Sequence, residues 1–101
     1  MDVSQKIKES ITAIEPTAKV VLFGSRARKD NTEHSDWDIL VLLKQPQVSL
    51  KDEQRIRHSL FDVELENGVS ISTFVQPASV WSLPVQPNPL MHKIKVEGRF
   101  L

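Results

Sequence analysis

The sequence contains no cysteine. That excludes a disulfide framework, a thiolate nucleophile and a cysteine-based zinc site. No uncharged apolar run approaches the ~18 residues of a membrane span, and no segment has the layout of a signal peptide. The expectation is a soluble, cytoplasmic protein without a membrane partner. Net charge is missing as well, because 13 basic residues balance 13 acidic ones. Nothing in that balance argues for non-specific nucleic-acid binding. Internal repeats and a second domain are also absent. The 101 residues are read as a single domain, 1–101, burying roughly two thirds of its unfolded surface.

What is present falls into alternating helical and strand patterns. Ile7, Ile11 and Ile14 recur at helical spacing, with Asp2 or Ser4 as cap and Pro16 as stop. All three isoleucines are expected in the core. Lys19 to Phe23 predicts a first strand, and Trp37 to Leu43 a second that is apolar on both faces. Ser49-Leu50-Lys51-Asp52 reads as a capping box. The helix it opens runs to Gly68 and turns Ile56, Leu60, Val63 and Phe61 inward. Val69 to Val75 predicts a third strand, and the intervening helix is a crossover long enough to make it parallel to the second. Pro77 to Trp81 reads as a turn or short helix, with Trp81 a packing anchor. A proline-rich connector follows. Asn88 caps and Pro89 starts a last helix ending near Gly98, with Leu90, Met91 and Ile94 on its buried side. His34, His58 and His92 are isolated and expected at the surface.

Two segments carry chemistry. The first apolar run ends abruptly at Gly24-Ser25. Glycine lets backbone approach a ligand closely, and Ser25 adds a hydroxyl at the start of a short helix. Alone, Gly24-Ser25 would be a plain turn and cap. The second run opens on Asp36-Trp37-Asp38. Residues i and i+2 of a strand share a face, so the two carboxylates stand side by side, roughly 6–7 Å apart at the backbone. Such a pair suits Mg²⁺, a hard cation usually bound by one or two carboxylates plus substrate phosphates. Trp37 points the other way and packs. For the two segments to act together, the first two strands must run antiparallel. Arg28, ahead of Arg26, is the candidate for pairing with phosphate oxygens.

Gly24-Ser25, ten residues and then Asp36-Trp37-Asp38 resemble the Gly-Ser…Asp-x-Asp signature of the DNA polymerase β-like nucleotidyltransferases. The longer string Gly24-Ser25-Arg26-Ala27-Arg28…Ser35-Asp36-Trp37-Asp38 is similar to the minimal nucleotidyltransferases of bacteria and archaea. Ile94 to Gly98 resembles the terminal helix of that family with its Glu-Gly ending. Lys29 stands where the family usually has glycine. The resemblance implies a compact α/β nucleotidyltransferase (polymerase β-like) fold, a small mixed sheet packed with helices. It implies Mg²⁺-dependent transfer of AMP from ATP to an acceptor. Asp36 and Asp38 would be the catalytic metal ligands, and Gly24, Ser25 and Arg28 the nucleotide-binding residues. It further implies a HEPN-domain protein as partner, in a toxin–antitoxin pair in which the antitoxin adenylylates a tyrosine of the toxin.

The family also supplies a third carboxylate from a later strand. The third strand here contains no acid, and Ser70 and Ser72 stand about where it is expected. Asp62, Glu64 and Glu66 are its only nearby substitutes. Two aspartates can hold one metal on a nucleotide, but two-metal displacement with a general base needs more oxygen ligands. Two readings follow: an active nucleotidyltransferase, or a nucleotide- or partner-binding module of the same fold with impaired turnover. A polymerase acting on nucleic acid fits poorly, because the chain has no room for a template channel.

Overall fold

A computed structural model describes residues 2–101. Helix α1 (Val3–Ile14) begins where the Asp2 carboxylate accepts the Gln5 amide at 2.9 Å. Strand β1 (Lys19–Phe23) leads into α2 (Ser25–Arg28), and β2 (Trp37–Leu43) follows a polar loop. Helices α3 (Leu50–Ser59) and α4 (Phe61–Asn67) precede β3 (Ile71–Pro77). Helix α5 (Ala78–Trp81), α6 (Pro89–Glu97) and β4 (Arg99–Phe100) complete the chain. The sheet order is β3-β2-β1-β4. As expected, β1 and β2 are antiparallel, while β2 and β3 are parallel. This is the nucleotidyltransferase fold anticipated above: a small mixed sheet with helices packed on it.

Alternation along β2 divides the interior. Ile39, Val41 and Leu43 join Ile7, Ile11, Ile56, Leu60 and Val63 on one side of the sheet. Leu40 and Leu42 join Val21, Phe23, Met91 and Ile94 on the other. Each fully buried side chain of this kind contributes roughly 1.5–3 kcal/mol relative to exposure. Helices α1, α3 and α4 therefore cover one face, and α5 and α6 the other. Asp36 and Asp38 share the parity of Leu40 and Leu42. They lie at the open end of the face that α6 covers.

Several expectations need correction. The long helix before Gly68 is two helices. The Ser59 hydroxyl donates to the Ile56 carbonyl at 2.6 Å, the acceptor that the Leu60 amide would use in a continuous helix. That amide turns to the Arg57 carbonyl instead, at 3.1 Å, and the axis breaks. Strand β3 starts at Ile71, two residues later than expected, because the Val69 amide still bonds back to the Glu64 carbonyl of α4. Ile14 lies on the apolar stripe of α1 but in its last turn, where it is 37% exposed. Phe61 and Leu90 are exposed as well, leaving Met91 and Ile94 as the buried side of α6. The three histidines are exposed, as expected.

Strand β4 was not anticipated. Phe100 pairs with Val21 and Arg99 with Leu22, and the Leu101 amide donates to the Val20 carbonyl at 2.9 Å. Phe100 meets the Trp81 ring edge-on, 5.4 Å between centroids. The chain turns from α6 into β4 at Gly98. A Cβ there would lie 2.5 Å from the Ile94 carbonyl oxygen and 2.6 Å from a Val21 methyl. The Glu-Gly ending is thus a close-packing requirement between α6 and β1. Gly98→Ala should cost about 1–3 kcal/mol of stability, the range of core overpacking. Urea melts check this, and an unchanged midpoint would show that α6 can move aside freely.

Candidate active site

Antiparallel pairing sets the site. Phe23, the last residue of β1, pairs with Asp38. The next residue, Gly24, is buried and has φ 74° and ψ −159°, a backbone conformation that L side chains rarely adopt. A Cβ on Gly24 would sit 2.2 Å from Asp38 Oδ2. The glycine is needed twice, for its backbone angles and because a carboxylate occupies the side-chain volume. The Gly24 carbonyl then accepts the Ala27 and Arg28 amides, both at 3.1 Å, and caps α2. Ser25 is therefore the first helical residue, and its hydroxyl makes no capping bond. It stays available at the start of α2. Lys29, in the family's glycine position, has φ 64° and ends α2 in the left-handed region. That is the conformation for which glycine is preferred.

The loop that presents Asp36 is held by Arg26. Its guanidinium donates twice to the Ser35 carbonyl, at 2.7 and 3.1 Å, and lies 4.3 Å over the Trp37 ring. Arg26 is thus occupied by structure. Asp36 is exposed and Asp38 half-buried. Arg28 also has partners: it donates to Glu97 Oε2 at 2.7 Å and to Asp30 Oδ2 at 3.1 Å. Glu97, from the end of α6, is only 11% exposed, and its Oε1 is buried without a hydrogen bond. Lys93, one turn earlier, approaches that oxygen at 3.8 Å. Sequence reasoning did not place Lys93 or Glu97 here. The Glu-Gly ending was visible, but its meaning depends on which face of the sheet α6 covers.

The parallel register places Ser72 beside Asp38 on the same face. Ser70 lies before the strand, its carbonyl accepting the Trp37 amide at 2.9 Å. Ser72 alone therefore occupies the neighbouring position where a third carboxylate would stand. Of the proposed substitutes, Asp62 and Glu66 are exposed on α4, while Glu64 accepts the Ile71 amide at 3.0 Å. A cleft of about 430 Å³ joins Asp36 to Glu64, His34 and Ser70. Among the described residues no group of three or more acids, histidines or cysteines could hold a metal. The donor set fits one hard cation on two carboxylates whose remaining ligands come from phosphate and water. It does not fit an all-protein cage.

The pattern of the family described as "Nucleotidyltransferase domain" matches residues 4–96, and the chain belongs to that family. A relative from Methanocaldococcus jannaschii, named "Putative protein adenylyltransferase", is 30% identical over 82 residues, covering 79% of this chain and 82% of its own length. Among the described residues no helix is long and apolar enough to cross a membrane.

The carboxylates differ electrostatically. Asp2 and Asp52, which cap helices, are held below the ordinary carboxylate value, chiefly by the backbone amides of Gln5 and Ser49 respectively. Asp38 is pushed above it, first by burial and then by the Asp36 carboxylate, against the pull of Arg28 and Lys93. A raised folded pKa means that the folded chain binds the proton more readily than the unfolded one. Stability therefore falls as pH climbs from the ordinary value of 3.8 through the raised one. Asp38→Asn keeps the shape and removes the charge. It should raise Tm at pH 7, and the gain should shrink toward zero below about pH 4. Thermal melts across that range check this; equal Tm values at pH 7 would show that the ionised carboxylate carries no cost.

Proposed function

We propose that the domain transfers AMP from Mg²⁺-ATP to a hydroxyl of a partner protein. The observation that carries this reading is the contact of Gly24 with Asp38, which joins the Gly-Ser turn and the paired aspartates into one site. Asp36 and Asp38 would hold Mg²⁺, which when bound neutralises charge on the phosphate oxygens. Gly24 and the uncommitted Ser25 hydroxyl would receive the β- and γ-phosphates, with Arg28 beside them. The acceptor oxygen bonds to the α-phosphorus as the bond to the β-phosphate oxygen breaks, and pyrophosphate leaves with the electron pair. The acceptor proton has to pass to a base.

The word "protein" in the relative's printed name supports a protein acceptor. These 101 residues contain no tyrosine, so a tyrosine acceptor would lie outside them. Resemblance to the minimal nucleotidyltransferases makes a HEPN-domain protein the proposed partner, in a cytoplasmic antitoxin–toxin pair. Replacing both Asp36 and Asp38 by Asn should leave the fold intact and abolish Mg²⁺-dependent ATP binding in calorimetry. Unchanged binding by that folded variant would remove the aspartates from the site.

A second reading has its own observation, the pairing of Ser72 with Asp38 where an acid is missing. On that reading the chain binds nucleotide and transfers it slowly. General-base catalysis contributes about 10²–10⁴-fold. Ser72→Asp should then speed AMP addition to the partner, read by mass spectrometry after incubation with ATP and Mg²⁺. Rapid modification by wild type, with Ser72→Asp no faster, would refute the impaired-site reading. Nucleotide binding without added AMP from either form would refute transfer to that partner.

A further inference from the structure

The cations around Glu97 are not equivalent. Arg28 uses its guanidinium on two carboxylates, at 2.7 Å to Glu97 and 3.1 Å to Asp30. The Glu97 bond is the one hydrogen bond to a carboxylate that is 11% exposed and whose other oxygen has none. Drawing Arg28 onto a phosphate would leave a carboxylate largely screened from solvent without a hydrogen bond, which is unfavourable. Lys93 is held differently. Its ammonium stands 3.8 Å from Glu97 Oε1, beyond hydrogen-bond reach, and it is 61% exposed. All three of its donors are uncommitted. Spacing of i, i+4 puts Lys93 on the stripe of α6 that carries Glu97 to the site. Lys95, two residues on, is turned away: it lies over the Trp81 ring at 4.3 Å and donates to the Trp81 carbonyl.

We propose that Lys93 is the cation that contacts the outer phosphates of the nucleotide, and that Glu97 and Arg28 form the strut that sets α6 in position for it. This rests on the nucleotidyltransferase reading above. On this assignment Arg28 is a positioning residue and Lys93 a binding residue. Lys93 needs only a rotamer change to leave Glu97, and Arg28 still neutralises the carboxylate behind it.

Calorimetry of the full chain with Mg²⁺-ATP, Mg²⁺-pyrophosphate and AMP tests this. Lys93→Ala should weaken both polyphosphates by about tenfold, the effect of losing one charge-assisted bond at a partly exposed site. It should change AMP affinity less than about twofold. Lys93→Arg should restore most of the loss, and Lys95→Ala, with the same change in net charge, should bind like wild type. Wild-type affinity in Lys93→Ala would overturn the assignment. So would an equal loss in Lys95→Ala, or a loss for AMP as large as for ATP. A folded wild type that binds neither Mg²⁺-ATP nor Mg²⁺-pyrophosphate would overturn the nucleotidyltransferase reading itself, and Lys93 with it.

Discussion

The site depends on a single steric constraint, the Asp38 carboxylate lying where the Gly24 side chain would be. Antiparallel pairing brings Phe23 opposite Asp38, so the chain leaving β1 must cross directly over that carboxylate. Only a residue without Cβ can do so. Because Gly24 also takes φ 74°, its carbonyl turns to cap α2 and leaves the Ser25 hydroxyl free. The start of α2 and the placement of Arg28 follow from that crossing. The buried core behind it, Val21, Phe23, Leu40 and Leu42, holds the two strand ends in this relation.

The constraint has an electrostatic cost. Asp38 is driven toward the neutral form by burial and by Asp36, while the acids that cap helices are held in the charged form by backbone amides. A carboxylate kept ionised against its surroundings is poorly suited to stabilising a fold and well suited to receiving a cation. Placement of Arg28 and Lys93 within electrostatic reach limits the cost without closing a direct ion pair on Asp38. Glu97 pushes the Asp38 carboxyl in the same direction as Asp36 does, and the hydrogen bond from Arg28 offsets its charge. An ion pair whose guanidinium is exposed, as that of Arg28 is, is weak support for stability taken alone. Here it ties the last turn of α6 to α2, and Gly98 lets that end approach β1.

Most of this geometry was legible locally. Ile7 and Ile11 marked the buried stripe of α1. The apolar runs bounded β1 and β2, and the need to join Gly24 with Asp38 required the antiparallel pairing. Nonlocal facts were harder to read. Strand β4 is two residues long and has no period to detect. The start of β3 depended on how far the cap of α4 reached past Gly68, and the break before Phe61 on one hydroxyl of Ser59. Arg28 was legible as a cation near phosphate. Its commitment to Glu97 was not, because nothing in a linear pattern tells which sheet face a terminal helix will cover.

The site is also open in only some directions. Gly24 closes Asp38 from the side of β1. Ser72 stands on the side of β3, small and uncharged. Asp36, by contrast, borders the 430 Å³ cleft toward α4. If the phosphates lie along Gly24, Ser25 and the cations of α2 and α6, the acceptor hydroxyl must enter from the Asp36 side. That side offers His34, Glu33 and Glu64 from this chain, of which Glu64 already bonds the Ile71 amide. Ser70, two residues before the position that lacks an acid, lines that cleft. An acceptor that carried its own base, or that brought His34 or Glu33 to its hydroxyl on docking, would supply what Ser72 does not.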